Sequence, residues 1–314
     1  MKVQRIIIGI RAGLLSTALL LGGCSGNDES RSFPAEEAVL RIGGASLELE
    51  TAVTRGATET LTRPTDAIGL FLKGSDAYDA IHNRKYTYGT PFWETEAEQL
   101  VLGKTPAAFT AYYPYASDGA TTVTLTSREY DADKEFYYLP FKASYQTSTI
   151  TLNLRRAYSL IRFSFIKGEK DKPKKNDAAY GGPAEVNTFS YTAGLCESGT
   201  LDLFTGIVGG SAANKTFTVS TPFTAGSSAA PVRKDYLIVP HSFSGELNFS
   251  ATVDGKAMTG KVSAAELCGT VNTAFVEGTC YEIKVYVRPT GLEVKTLRVK
   301  DWEATDIPGE IENI

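Results

Sequence analysis

Apolar and polar residues alternate with a period of two over many short segments of the chain. The alternation is clear over residues 47–54, 150–155 and 281–287. Successive side chains of a strand point to opposite faces, so each segment has one face toward a core and one toward solvent. No segment of a dozen residues carries the 3.6-residue period of an amphipathic helix. The pattern predicts an all-β protein.

Turn residues separate these segments at short intervals. Asp254-Gly255 stands between two alternating runs and predicts a two-residue hairpin turn. Residues 170–182 are rich in Lys and Gly and predict an exposed loop. The turns divide the chain into short strands, as in a β-sandwich.

The length favours two β-sandwich domains in tandem. The chain has 314 residues, and a domain takes roughly 150 residues. The strand spacing predicts a boundary near residue 155, which gives an N-terminal sandwich over 56–155 and a C-terminal one over 156–314.

The first 23 residues have the features of a signal peptide. Basic residues precede or interrupt an apolar run that is too short and broken to span about 30 Å of hydrocarbon. The run ends in Leu21-Gly22-Gly23-Cys24, which resembles a bacterial lipobox. In such signals the Cys is acylated and becomes the new N-terminus, so we predict lipidation of Cys24, most simply palmitate among its acyl chains. An ordinary secretory peptide with a chance Cys is the alternative.

Charge and composition exclude several functions. The net charge is −4, and it becomes −7 when residues 1–23 leave with three basic residues and no acid. No basic block is present, so no nucleic-acid partner is predicted. The chain has two His and none of the G-x-S-x-G, H-E-x-x-H, Walker A or C-x-x-C motifs. We therefore predict a protein that is not an enzyme, with no catalytic residue, cofactor or metal site.

Three cysteines remain after Cys24, namely Cys196, Cys268 and Cys280. An odd number permits one disulfide at most, and nothing in the spacing fixes its partners. Buried free thiols are the favoured interpretation.

An ordered set of short motifs follows the lipobox. In this order the motifs resemble the fimbrillin family, the type V pilins of Bacteroidota. The motifs are Thr54-Arg55-Gly56, Ile68-Gly69-Leu70-Phe71-Leu72, Asn83-Arg84-Lys85-Tyr86, Phe92-Trp93, Ala111-Tyr112-Tyr113-Pro114-Tyr115, Ala157-Tyr158-Ser159-Leu160-Ile161-Arg162-Phe163, Tyr236-Leu237-Ile238-Val239-Pro240, Gly278-Thr279-Cys280-Tyr281 and Val299-Lys300-Asp301-Trp302.

The resemblance implies a pair of transthyretin-like sandwiches and assembly by exchange of a strand. In such pilins the first strand is cut off after an Arg, and a C-terminal strand of another subunit fills the groove. Here residues 24–55 would hold the tether and the removable strand 39–53. The cut would fall between Arg55 and Gly56. The groove-filling side chains would be Leu47, Leu49 and Val53.

The matching donor strand would come from residues 292–314. Its alternation slips between Val294 and Leu297, which predicts a bulge or two short strands. The alternative is that 292–299 forms an ordinary last strand of its own sandwich. The apolar anchors of the donor would be Leu292, Val294, Leu297, Val299, Trp302 and Ile307.

The resemblance therefore implies a structural fimbrial (pilus) subunit on the outer membrane and cell surface of a Gram-negative bacterium. Its partners would be other pilin subunits, an Arg-specific protease and, through the lipid, the outer membrane. The alternative is a tip adhesin or anchor lipoprotein that binds a glycan or host protein. Candidate aromatic residues for sugar stacking are Tyr86, Tyr88, Trp93 and Tyr180.

Overall fold

Strands dominate the fold, with 58% of residues against 5% in helices, which confirms the predicted all-β class. The structure, a computed structural model, describes residues 36–49, 57–168, 179–270 and 273–299. The predicted lipidation site, Cys24, lies outside these described residues. So do Val53, Arg55, Gly56, Trp302 and Ile307.

In the described part of the chain, eleven strands precede residue 157. They are β1 (Ala38–Val39), β2 (Arg41–Leu49), β3 (Ala57–Thr60), β4 (Ala67–Leu72), β5 (Ile81–Thr87), β6 (Val101–Leu102), β7 (Ala107–Tyr113), β8 (Thr122–Thr126), β9 (Arg128–Glu129), β10 (Tyr137–Ala143) and β11 (Thr149–Arg156).

Eleven more strands and one short helix follow within the described ranges up to residue 299. They are β12 (Ser159–Lys167), β13 (Glu185–Asp202), β14 (Val208–Thr218), β15 (Phe223–Thr224), β16 (Val232–Ile238), β17 (His241–Ser242), β18 (Glu246–Val253), β19 (Lys256–Ser263), α1 (Ala264–Cys268), β20 (Ala274–Phe275), β21 (Cys280–Arg288) and β22 (Gly291–Val299).

Seven strands of the first half form one path of neighbours, in the order β3-β2-β11-β10-β7-β4-β5. The link between β10 and β11 is only two residue pairs long, whereas β10 and β7 are paired over seven residues. Apolar side chains from β2 and β11 share one cluster with those of β4 and β7. The path therefore folds over on itself at β10 and β11 to enclose a core.

The second half has two larger sheets around its own core. One has the strand order β22-β21-β12-β16-β9, and the other has the order β14-β13-β18-β19. Phe163 of β12 lies at the centre of an aromatic group, with ring centroids 5.0 Å from those of both Phe189 and Tyr191. Aromatic rings supply much buried area in few residues, which accounts for part of the high Tyr and Phe content.

A third apolar cluster joins the two halves. It contains Tyr138 from β10, Leu125 from β8 and Leu237 from β16. Arg155 at the end of β11 donates to the Tyr138 hydroxyl over 2.9 Å, and its guanidinium lies 3.2 Å from the carboxylate of Glu277. The Tyr138 hydroxyl in turn donates to Glu277 over 2.8 Å. These polar contacts tie the end of β11 to the second half.

Strands β8 and β9 precede residue 155 but pair with strands that follow it. β8 is antiparallel to β13, and β9 is antiparallel to β16. The domain boundary at residue 155 and the transthyretin-like topology remain predictions.

The predicted Asp254-Gly255 turn is confirmed. Both residues have positive φ, 48° and 76°, as a type I′ turn requires, and they join β18 to β19.

The predicted bulge between Val294 and Leu297 is wrong. β22 pairs with β21 through nine consecutive residues without a register shift. Thr296 follows Leu292 and Val294 at the same two-residue spacing, and its hydroxyl donates to the Glu266 carbonyl over 3.0 Å. A Thr with a backbone acceptor takes a position where the sequence pattern led us to expect an apolar residue.

Candidate strand-exchange site

Strand β2 occupies a slot between two other strands. It runs parallel to β11, with Ala45, Ser46 and Leu47 opposite Leu152, Asn153 and Leu154 respectively. On its other edge it pairs antiparallel with β3. The chain from β2 to β3 passes through residues 50–56, which contain the predicted cleavage site.

One face of β2 fills the first core. Ile42, Ala45 and Leu47 are 0%, 2% and 5% exposed and belong to the same apolar cluster. Leu152 and Leu154 of β11 lie in this cluster too. A strand that leaves this slot would expose the apolar wall that these side chains cover.

Backbone hydrogen bonds beyond the regular ladder also hold this segment. The Arg41 N–H donates to the Ser148 carbonyl over 2.7 Å, and the Trp93 N–H donates to the Ile42 carbonyl over 2.9 Å. The Leu61 N–H donates to the Ala45 carbonyl over 3.0 Å. The slot thus offers donors to the carbonyls of whichever strand lies in it.

The outer face of β2 carries one polar contact with the slot. The Ser46 hydroxyl donates to Asn153 Oδ1 over 2.8 Å. Ser46 is buried although it is polar, with 8% of its surface exposed. At the start of β2, the Arg41 guanidinium lies 5.0 Å from the centroid of the Phe92 ring.

Only some of the residues predicted for the removable strand lie in the described part of the chain. Leu47 lies in the slot with its side chain in the core. The backbone of Leu49 ends β2 and pairs with Ala57, and its side chain lies outside the described part. The described strand begins at Arg41, two residues later than predicted.

The predicted donor segment begins in an edge strand of the second half. Leu292 and Val294 of β22 are half-buried and pack against the second core. The backbones of Leu297 and Val299 continue the pairing with β21. Their side chains lie outside the described part.

A buried polar group closes the end of β11. The Tyr137 hydroxyl donates to the Glu135 carboxylate, and Arg156 Nε donates to that hydroxyl over 2.9 Å. Burial and the adjacent Glu135 charge raise the pKa of Tyr137 well above its ordinary value. This tyrosine stays neutral and acts as a structural donor. Sequence reasoning missed the group because Arg156 lies 19 residues after Tyr137 in the chain, and only the pairing of β10 with β11 brings them together.

The aromatic residues considered for sugar stacking do not form an exposed platform. Tyr86 and Trp93 are 4% and 5% exposed, and both belong to the first core. Tyr88 and Tyr180 are half-buried, and the Tyr180 hydroxyl donates to Asp254 over 2.8 Å.

A cleft of about 530 Å³ lies beside β5. Its lining includes His82, Arg84 and Glu94. His241 lies elsewhere, with its ring nitrogens 2.7 Å from the Val239 carbonyl and 3.1 Å from that of Gly194. Within the described ranges, no three His, Cys, Asp or Glu side chains are placed to hold a metal ion. Nor has any helix of those ranges the length and apolar character needed to cross a membrane.

The three described cysteines are buried thiols. Burial raises the pKa of the Cys280 thiol to about 12. Since the thiolate is the reactive form, we expect Cys280 to resist thiol reagents at pH 8 in the native protein and to react after unfolding. Time-resolved titration with a chromogenic disulfide reagent, followed by mass mapping, measures this. Rapid native labelling of Cys280 would show that the thiol is accessible.

The chain matches known fimbrial sequences over most of its length. The sequence model of the fimbrillin-like family matches residues 54–302. A protein of Bacteroides uniformis named as fimbrium subunit Fim1C is 23% identical over 327 aligned positions, which cover 100% of this chain and 99% of the relative.

Crystal structures share the fold. A protein described as a cell adhesion protein from Bacteroides ovatus has a TM-score of 0.56 at 15% identity, covering 87% of this chain and 100% of its own. Another, from Bacteroides uniformis, has a TM-score of 0.53 at 17% identity, covering 82% and 96%. The family and these relatives are fimbrial or adhesion proteins and not enzymes. Since the family match covers most of its residues, the chain belongs to the fimbrillin-like family.

Proposed function

We propose that this protein is a structural fimbrial subunit that polymerises by strand exchange after cleavage behind Arg55. The observation that carries the proposal is the position of β2. This strand precedes the cleavage segment, lies between β11 and β3, and places Ile42, Ala45 and Leu47 in the first core. Among the described residues, a cut after Arg55 would detach β2 and the preceding Leu40 from that core.

The physical chemistry of the slot favours replacement over an empty groove. Loss of β2 would leave backbone groups of β11 and β3 without their partners, together with an exposed apolar wall. A sheet edge of this kind pairs readily with another extended segment of suitable alternation. A fully buried Leu or Ile side chain is worth about 1.5–3 kcal/mol. An incoming strand with apolar residues at the same positions recovers that stabilisation.

The donor in this proposal lies within residues 292–314. β22 is paired with β21 along its whole length, and Leu292 and Val294 pack on the second core. In this proposal the portion after Val299, which contains Trp302 and Ile307, enters another subunit while β22 stays paired with β21. Export as a lipoprotein through Cys24 would place the uncut precursor at the outer membrane, where an Arg-specific protease and other pilin subunits meet it.

Replacement of Arg55 by Ala tests the cut. We expect Arg55→Ala to prevent trimming by an Arg-specific protease and to abolish the multimer ladder on unheated denaturing gels, since the slot stays filled by β2. Arg63→Ala is the matched control. Arg63 lies near the cleavage segment but precedes Pro64, which hinders cleavage, and its side chain forms an exposed ion pair with Glu59.

The Arg63→Ala protein should be trimmed to a Gly56 N-terminus and form ladders like the unaltered chain. Ladders of equal intensity from the Arg55→Ala protein would contradict the proposed cut.

The second candidate is an adhesin or anchor that binds a glycan or host protein at the cell surface. The structural relatives are described as cell adhesion proteins. The four aromatic residues considered for sugar stacking lie in cores or against them, so this candidate depends on surfaces other than those rings. A cut protein that stays monomeric and binds immobilised glycans would favour it.

A further inference from the structure

The slot of β2 contains a polar pair in addition to its apolar wall. Ser46 and Asn153 lie directly opposite each other in the parallel register, and their side chains are joined by the 2.8 Å hydrogen bond. This pair lies on the face of the sheet opposite the core, whereas the neighbouring Ala45 and Leu47 face the core. A strand in the slot is therefore contacted on both of its faces, by apolar side chains on the core face and by Asn153 on the other.

Apolar packing alone leaves the register of such a strand incompletely fixed. A slip by one residue turns the apolar side chains away from the core and is strongly disfavoured. A slip by two residues keeps the same face inward. It would bring Gly44 or Glu48 opposite Asn153, and neither carries a hydroxyl. The hydrogen bond to Asn153 is thus the contact that separates these alternatives.

A β-bulge lies just before this pair, so the register of the residues that follow it needs a contact of its own. Ile42 is opposite Ile150, but Gly44 is opposite Thr151, so Gly43 is an extra residue without a partner. A bulge of this kind uncouples the register before it from the register after it. The contact between Ser46 and Asn153 fixes the part that follows the bulge.

We propose that Asn153 selects the strand that fills the slot by requiring a hydroxyl residue, Ser or Thr, at the register of Ser46. The selected partner is an extended segment of another subunit that brings such a hydroxyl opposite Asn153. This selection rests on the proposed strand exchange. A polar group that fixes register within an apolar interface has a parallel in the single Asn of coiled-coil seams.

Competition between peptides tests the selection. The full chain without its signal peptide is cut after Arg55, and labelled peptides of residues 38–50 displace the cut strand. The peptides carry Ser, Thr or Val at position 46, and Val has the shape of Thr without the hydroxyl. A net hydrogen bond of ordinary strength predicts that the Ser and Thr peptides compete about two- to tenfold better than the Val peptide.

The variant Asn153→Ala provides the matched control. Asn153 is exposed outside its contact with Ser46, so the substitution leaves the core intact. On this variant the three peptides should compete equally. Equal competition on the unaltered chain, or a hydroxyl preference that persists in Asn153→Ala, would overturn the selection while leaving exchange in place.

Failure of exchange itself gives a different result. If no peptide enters the cut chain, the proposed function and the selection fall together. A double-mutant cycle of Ser46→Ala and Asn153→Ala on the unfolding of the uncut chain then shows whether the pair is only a structural contact.

Discussion

Replacing Ile42 by Ala is expected to lower the free energy of unfolding of the uncut chain by about 2–5 kcal/mol, the usual effect of removing a buried Ile side chain. Ile42 is fully buried in the first core and lies on the strand that the proposed cut detaches. In multimers formed after trimming, the same substitution should have no effect, because residue 42 has left with the detached strand. Chemical denaturation of both species measures this difference.

Leu154→Ala is the matched control for this prediction. Leu154 is also fully buried in the first core, but it belongs to β11, which stays in the subunit after the cut. Leu154→Ala should therefore lower the stability of the uncut chain and of the multimer by similar amounts. If Ile42→Ala weakens the multimer as strongly as Leu154→Ala does, β2 has not been replaced.

The second large effect is expected at a buried ion pair of the second half. Arg162 of β12 donates from Nε and Nη2 to the two oxygens of Asp235 on β16, over 2.9 and 2.7 Å. Burial lowers the pKa of Arg162, but the hydrogen bonds and charge of Asp235 outweigh this and raise it. We expect Asp235→Ala to cost about 1.5–3 kcal/mol, because it removes two charge-assisted hydrogen bonds from a buried guanidinium.

Two comparisons give this prediction its control. The pair Lys261 and Glu246 is exposed, so Glu246→Ala should change the thermal or chemical unfolding midpoint very little. The double variant Arg162→Met, Asp235→Leu should recover most of the lost stability, since apolar pairs of similar volume often replace buried ion pairs without loss. If the Asp235→Ala protein were as stable as the Glu246→Ala protein, Asp235 would not be needed to stabilise the buried charge of Arg162.

Cys280 is one source of the pH dependence of stability at alkaline pH. Its native pKa of about 12 lies above the ordinary value of 9.0, so the native state holds the proton to higher pH than the unfolded chain. This contribution is complete below pH 9 and is lost as the pH rises toward 12.

Period-two patterns predicted much of the second core correctly. Tyr281, Ile283 and Val285 alternate in the sequence, and all are buried in one cluster. The pattern gave no sign that Glu282, on the opposite face, would also be buried at 9% exposure. Alternation shows which residues share a face, and it does not show whether the second face is covered.

Other elements had weaker or overlooked signals. β14 has no alternation, because most of its residues are exposed on both faces. The helix α1 is only five residues long, so it has no periodic stripe. It does have a capping box, in which Ser263 accepts from the Glu266 N–H, and the Ser-x-x-Glu spacing could have indicated it.

The strand at the candidate site was predictable, but its surroundings were not. Alternation indicated a strand through Leu47, whereas its parallel pairing with β11 joins segments about a hundred residues apart. A single sequence carries no information on such a pairing. Ser46 and Asn153 are ordinary polar residues by themselves, and only the register brings them together.

The central claim is that β2 leaves the subunit and another strand takes its place. The most direct measurement is the intact mass and N-terminal sequence of subunits isolated from multimers of the trimmed protein. The proposal predicts subunits that begin at Gly56, no retained fragment from residues 24–55, and multimers that resist unheated denaturant. Multimers whose subunits keep that fragment in equal amount would contradict strand exchange.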